Sequence, residues 1–104
     1  MAEIGVEIDA VATTPRGIDV WCEYKGSIQG DRPGLRRTDT LKKAIANGAL
    51  LRGLPIAAPY VVITSHVPTA GSGDAMLRTA LALGYIDEVV CLYDPATHLR
   101  LNRW

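Results

Sequence analysis

Glu7 and Asp9 stand two apart, and fourteen residues beyond Asp9 a Glu23-Tyr24-Lys25 tripeptide repeats the spacing with a cation in the second place. Residues two apart share one face of an extended strand. If both segments are strands, three carboxylates and an ammonium converge on one side of a hairpin. Hard divalent ions such as Mg²⁺ take oxygen ligands and are commonly held by one or two carboxylates, with substrate phosphate oxygens and waters completing the shell. Asp9 and Glu23 supply such a pair. A bound ion lowers the pKa of its water, and a nearby ammonium orients that water or offsets charge developing on a phosphate. Lys25 is the residue placed for that role, and Glu7 is an accessory candidate.

The elements that must position these groups are legible in the periodicity. Residues Glu3 to Thr13 set Ile4, Val6, Ile8, Ala10 and Ala12 against Glu3, Gly5, Glu7, Asp9 and Val11, a period of two that predicts a strand with one buried face. Thr14-Pro15-Arg16-Gly17 is turn chemistry, and Ile18 to Lys25 is a second strand, β-branched and aromatic, so the two form an antiparallel hairpin. Gly26 to Arg37, with its glycines, proline and charges, is a long loop. Thr38, Asp39 or Thr40 then caps a helix carrying Leu41, Ala44, Ile45, Gly48, Ala49 and Arg52, stopped by Gly53 and Pro55. Pro59 to Ser65 holds the unbroken run Tyr60-Val61-Val62-Ile63 of a central strand. Ser72 or Asp74 caps a second helix, with Met76, Leu77, Ala80, Leu81 and Leu83, ending at Gly84. Asp87 to Tyr93 is the last strand. A helix between two apolar strands implies a parallel, right-handed β-α-β unit. The expected fold is α/β, a mixed sheet in the order β-β-α-β-α-β flanked by helices, with residues 1–104 as one domain.

These residues carry a resemblance. Asp9 followed by Glu23-Tyr24-Lys25 on the next strand resembles the PD-(D/E)xK nuclease signature, as in Mrr-type restriction endonucleases and Holliday-junction resolvases. Glu7-Ile8-Asp9-Ala10-Val11-Ala12, Cys22-Glu23-Tyr24-Lys25-Gly26, Val62-Ile63-Thr64-Ser65, Ala80 and Gly84-Tyr85-Ile86 occur in the family's order, so the similarity covers most of residues 4–93. The resemblance implies a restriction-endonuclease-like sheet, here lacking the usual N-terminal helix. It implies Asp9, Glu23 and the Tyr24 carbonyl as ligands of Mg²⁺, with Mn²⁺ as substitute, and Lys25 as the catalytic lysine of a deoxyribonuclease. A homodimer or a larger complex would supply the missing element. The alternative is a non-catalytic nucleic-acid-binding or assembly domain of the same fold.

Composition sets bounds on these readings. Eleven basic and eleven acidic residues cancel, which argues against holding nucleic acid by bulk charge and demands a local patch. Seven of the basic residues fall between positions 25 and 52, among them Arg32, Arg36, Arg37, Lys42 and Lys43, which are the candidate DNA-backbone contacts. Cys22 and Cys91, without CxxC spacing, point to reduced thiols and a cytoplasmic setting, and no apolar run approaches a membrane span. His66 and the Pro68-to-Asp74 loop lack the GK[ST] of a phosphate loop and read as a turn and cap. His98 reads as surface, and Trp21 and Trp104 as core or dimer contacts.

Overall fold

Three parallel or antiparallel pairings build one four-stranded mixed sheet in the order β1-β2-β3-β4. In the computed structural model, which describes residues 4–25, 35, 38–55 and 58–104, the elements are β1 (Ala10–Thr13), β2 (Asp19–Lys25), α1 (Thr38–Leu51), β3 (Tyr60–Thr64), α2 (Gly71–Leu83), β4 (Glu88–Cys91) and the short α3 (Pro95–His98). A 3₁₀ turn at Leu99–Arg103 follows. The order expected from periodicity is present, with α3 and the turn added. β1 and β2 pair antiparallel, whereas β2 with β3 and β3 with β4 pair parallel. Because β2, β3 and β4 step across the sheet in one direction through right-handed crossovers, both long helices fall on the same face.

That face holds the larger core. Leu41, Ala44 and Leu51 of α1 and Leu77 and Ala80 of α2 pack on Tyr60, Val62 and Val89, joined by Val6, Leu35 and Ile86. The opposite face is a smaller cluster of Val20, Cys22, Val61 and Val90, with Ala10, Ile63 and Trp104 against it. Trp104 therefore covers the chain's own sheet, while the Arg103 guanidinium lies 4.6 Å from its ring centroid. Among the described residues no helix is long and apolar enough to cross a membrane.

Two expectations are corrected. The first strand is shorter than its periodicity implies: only Ala10–Thr13 is extended, and Gly5, at φ 73°, turns the chain before it. Ile8 packs with the helix-side core while Ala10 faces the other cluster, so the two do not share a face. The alternation arises from a folded segment, because apolar side chains can reach a core from irregular backbone as readily as from a strand. The second correction is the start of α2. Neither Ser72 nor Asp74 caps it; the N-cap is Ala70, without a side-chain cap bond, and Asp74 instead pairs with Arg78 one turn on, at 3.1 Å. Gly84, at φ 74°, ends the helix in the left-handed conformation expected of it, its N–H donating to Ala80 and Leu81 carbonyls.

Gly48, inside α1, is where the helix meets the segment after α2. A Cβ built there would fall on the Tyr85 carbonyl oxygen and 3.2 Å from Tyr60 Cδ2. In a free helix, Gly48→Ala gains up to about 1 kcal/mol. Here overpacking against backbone opposes it by about 3 kcal/mol. The expected result is a net loss of about 2 kcal/mol and a fall in Tm of roughly 10 °C, read by urea and thermal denaturation; a more stable variant would show that the helix and Tyr85 do not meet.

Candidate active site

β2 is an alternating strand, and its odd positions face the helices. Trp21 packs into the helix-side core, Glu23 follows it two residues on, and Lys25 ends the strand. Glu23 is the unusual member, with only 4% of its surface exposed. A carboxylate moved out of water costs several kcal/mol unless its lone pairs are satisfied. Three elements provide the partners. The Tyr60 hydroxyl from β3 donates to Glu23 Oε2. Asn47 Nδ2 from α1 donates to Oε1 at 3.0 Å, and the Lys25 ammonium lies 3.1 Å from the same oxygen. The ion pair is part-buried on the lysine side, with about a fifth of its side chain in water.

Asp9 arrives from the other side of the hairpin. β1 pairs Ala10 with Cys22, so the next positions outward are Asp9 and Glu23. The ladder stops there, and Asp9 Oδ2 accepts the Tyr24 N–H at 2.7 Å in place of a strand carbonyl. In an antiparallel strand a residue's N–H and C=O point the same way, so the Tyr24 carbonyl lies on the Asp9 side. Thr64, fully buried, then fastens the end of β2: its hydroxyl donates to the Lys25 carbonyl at 2.8 Å and accepts the Leu35 N–H at 3.2 Å.

The sequence-derived residues are thus brought together in part. Glu23 and Lys25 are in contact, and Asp9 touches Tyr24 between them. Glu7 is exposed and outside β1, so it does not share a strand face with Asp9. Lys42 and Lys43 are exposed on α1, while Arg32, Arg36 and Arg37 lie outside the described residues. Arg52 is diverted from the basic patch, donating through Nη1 to the Gly84 carbonyl at 2.6 Å. His66 stacks obliquely on Tyr93, centroids 5.6 Å apart, and its Nδ1 and the buried Ser65 Oγ have no partner among the described residues. His98, expected at the surface, is exposed but places Nε2 3.1 Å from the Cys91 carbonyl. Cys22 and Cys91 are both free and buried, and burial pushes the Cys22 thiol pKa up, away from the reactive thiolate.

Asn47, Tyr60 and Thr64 were not picked out from the sequence as site residues. Asn47 carried a signal: a poor helix former three residues after Ala44 and four before Leu51, on the apolar face, requires a polar partner inside. Tyr60 opened an apolar run, and a buried tyrosine hydroxyl needs an acceptor. Among the described residues no group of three or more His, Cys, Asp or Glu side chains is set to hold a metal ion. Comparison with protein-family models finds no match, and neither characterised proteins nor solved structures yield a significant relative.

Two outcomes follow from this geometry. Tyr60→Phe removes one donor and leaves the rest of the ring in place, so the uncompensated Glu23 oxygen should cost about 1–3 kcal/mol in urea denaturation; an unchanged midpoint would mean that the hydroxyl does not serve Glu23. Asp87, the residue before β4, accepts the Tyr60 N–H at 2.7 Å through Oδ2. Burial raises its carboxyl pKa, against the lowering by Arg103 and Arg52. A raised folded-state value means that the folded protein holds this proton more tightly than the unfolded chain, so its contribution is present at acid pH and lost as pH rises through the folded value. Asp87→Asn, which does not titrate and keeps an acceptor oxygen, should gain stability relative to wild type between about pH 4 and about pH 7; denaturation at both pH values would reveal a constant difference if burial did not perturb this group.

Proposed function

We propose that the chain is a metal-dependent endonuclease hydrolysing DNA phosphodiester bonds, of the PD-(D/E)xK type that its motif resembles. The observation that carries this reading is the end of β2, where the Lys25 ammonium sits 3.1 Å from Glu23 Oε1 and Asp9 is held at the intervening Tyr24 amide. The strand order, with an antiparallel β1-β2 hairpin followed by two parallel crossovers, supports a restriction-endonuclease-like sheet. It is an α/β domain with helices on the face that carries the site.

The donor set suits Mg²⁺ or Mn²⁺: Asp9, Glu23 and the Tyr24 carbonyl are all hard oxygen ligands, two carboxylates being a usual number for such an ion. Glu23 Oε1 already faces a cation in Lys25, so the oxygen is oriented to accept positive charge. When bound, the ion supplies charge neutralisation and a more acidic water. The chain's own groups do the rest. Tyr60 and Asn47 fix the Glu23 rotamer, and the Tyr24 N–H fixes Asp9. Lys25, with three N–H donors and partial access to solvent, orients the attacking water and offsets charge on the phosphate as the new P–O bond forms and a bridging one breaks. Lys42 and Lys43 on α1 meet the DNA backbone, with Arg32, Arg36 and Arg37 in the same basic stretch. A homodimer or larger complex belongs to this reading, as does a cytoplasmic setting with reduced Cys22 and Cys91.

The engagement of both Glu23 oxygens favours a second reading, a non-catalytic nucleic-acid-binding or assembly domain in which the network only stabilises the fold. Cleavage separates the two. Plasmid, linear and branched DNA with Mg²⁺ or Mn²⁺ should be cut by wild type, and folded Lys25→Ala and Asp9→Ala variants should lose about 10²–10³-fold in rate. No cutting of any substrate by the wild-type chain would leave the second reading standing.

A further inference from the structure

A pocket lies on the helix face, at the opposite end of β2 from Lys25. Its volume is about 270 Å³, and its walls include Trp21, Tyr60, Tyr85, Arg52 and Asp87. Trp21 and Tyr60 are register neighbours on β2 and β3, so their side chains stand side by side. Gly48 is also part of the wall, where α1 runs against the Tyr85 carbonyl with no room for a side chain.

The polar groups in this pocket are fixed by the backbone. Asp87 Oδ2 accepts the Tyr60 N–H at 2.7 Å, and the Asp87 N–H donates to the Tyr60 carbonyl at 2.9 Å. Among the described residues, Asp87 Oδ1 accepts no hydrogen bond. The Arg52 guanidinium is anchored by one nitrogen, Nη1, on the Gly84 carbonyl, which leaves a planar donor group with further N–H bonds to give. A carboxylate acceptor and a guanidinium donor thus line one aromatic-walled pocket too small for more than a compact ligand. Burial raises the Asp87 pKa, a sign of limited access to water, where hydrogen bonds weigh more.

We propose that this pocket binds a guanine base, with Asp87 accepting from its N1–H and N2–H₂ edge, Arg52 donating to O6, and the aromatic side chains packing on the ring. Among the bases guanine alone sets two adjacent donors beside an acceptor; adenine turns its N1 lone pair toward the carboxylate, and thymine flanks its one N–H with two carbonyls. Reading an unstacked base by its Watson–Crick edge between aromatic side chains is a general mode of nucleotide recognition. The pocket adjoins the acidic site, because Tyr60 belongs to both: it is part of the pocket wall and its hydroxyl donates to Glu23. Trp21 precedes Glu23 by two residues, roughly 6.6 Å along the strand, a distance of about two base steps. That the guanine belongs to a DNA strand whose phosphate reaches Glu23 and Lys25 rests on the endonuclease reading; the pocket's preference for guanine does not.

The test separates these parts. In a Trp104→Phe background, which leaves Trp21 as the reporter, GMP and AMP are titrated without divalent ions while fluorescence is followed. Saturable quenching by GMP, with AMP at least about tenfold weaker, is the expected result, and Asp87→Asn or Arg52→Ala should bring the two nucleotides close to parity while thermal melts confirm the fold. No quenching by GMP would overturn the pocket, and equal quenching by both nucleotides would overturn the guanine assignment. A single-stranded oligonucleotide holding one guanine should bind more tightly than GMP; equal or weaker binding would overturn the strand as its source. Because nothing is cut and no metal is present, these outcomes are independent of whether the chain cleaves DNA.

Discussion

One buried carboxylate organises this fold. Glu23 sits in the middle of β2 under α1, and its desolvation has to be offset by donors that come from elsewhere in the chain. Tyr60 reaches it from β3, Asn47 from α1 and Lys25 from its own strand. Apolar packing alone tolerates a helix that slides or rotates by a fraction of a turn. Hydrogen bonds to two oxygens of one fixed carboxylate do not, so the register of α1 on the sheet is set by the same group that bears the proposed chemistry. Replacing Glu23 and its partners together by apolar residues of similar shape would fill the space and lose the site; removing one partner leaves a charge stranded.

The sheet then divides the molecule into two unlike faces. Both long helices lie on one face because β2, β3 and β4 advance in one direction, and that face holds Glu23, Lys25 and the aromatic pocket. On the other face Trp104, at the end of the C-terminal turn, packs against the smaller cluster. Thr64 and Thr97 do similar work at the ends of neighbouring strands, each a buried hydroxyl that satisfies backbone groups where the ladder stops. Thr64 holds the Lys25 carbonyl, and Thr97 accepts the Cys91 N–H at 2.8 Å. Lys25 is therefore presented from a strand end whose backbone is tied down, a rigid mount for a flexible side chain.

The sequence was most legible where one physical requirement acted alone. Tyr60-Val61-Val62-Ile63 had to be covered on both faces and is. Gly84 had to end a helix because it alone accepts the left-handed turn there. Legibility failed where two solutions satisfied the same pattern. The alternation from Ile4 to Ala12 fits a strand, yet the chain turns at Gly5 and buries Val6 from an irregular segment. Asp74 fits an N-cap and also an i, i+4 partner for Arg78, and the second was chosen. At the site, the motif residues were readable from spacing, but their partners were not: Asn47 and Tyr60 lie 24 and 37 residues from Glu23, and only the packing of α1 and β3 brings them there.

The central claim is that Asp9 and Glu23 together form a divalent-cation site and that the Glu23 network is more than a fold-stabilising cluster. Mn²⁺ binding measured by calorimetry and by the paramagnetic broadening of the free ion's signal, in wild type and in folded Asp9→Asn and Glu23→Gln variants, tests it without reference to DNA. Binding to the wild-type chain that each substitution weakens by at least about tenfold is the predicted result, since each removes a charged ligand from a shell of hard oxygens. A wild-type chain that binds no Mn²⁺, or variants that bind it as well as the wild type, would contradict the account.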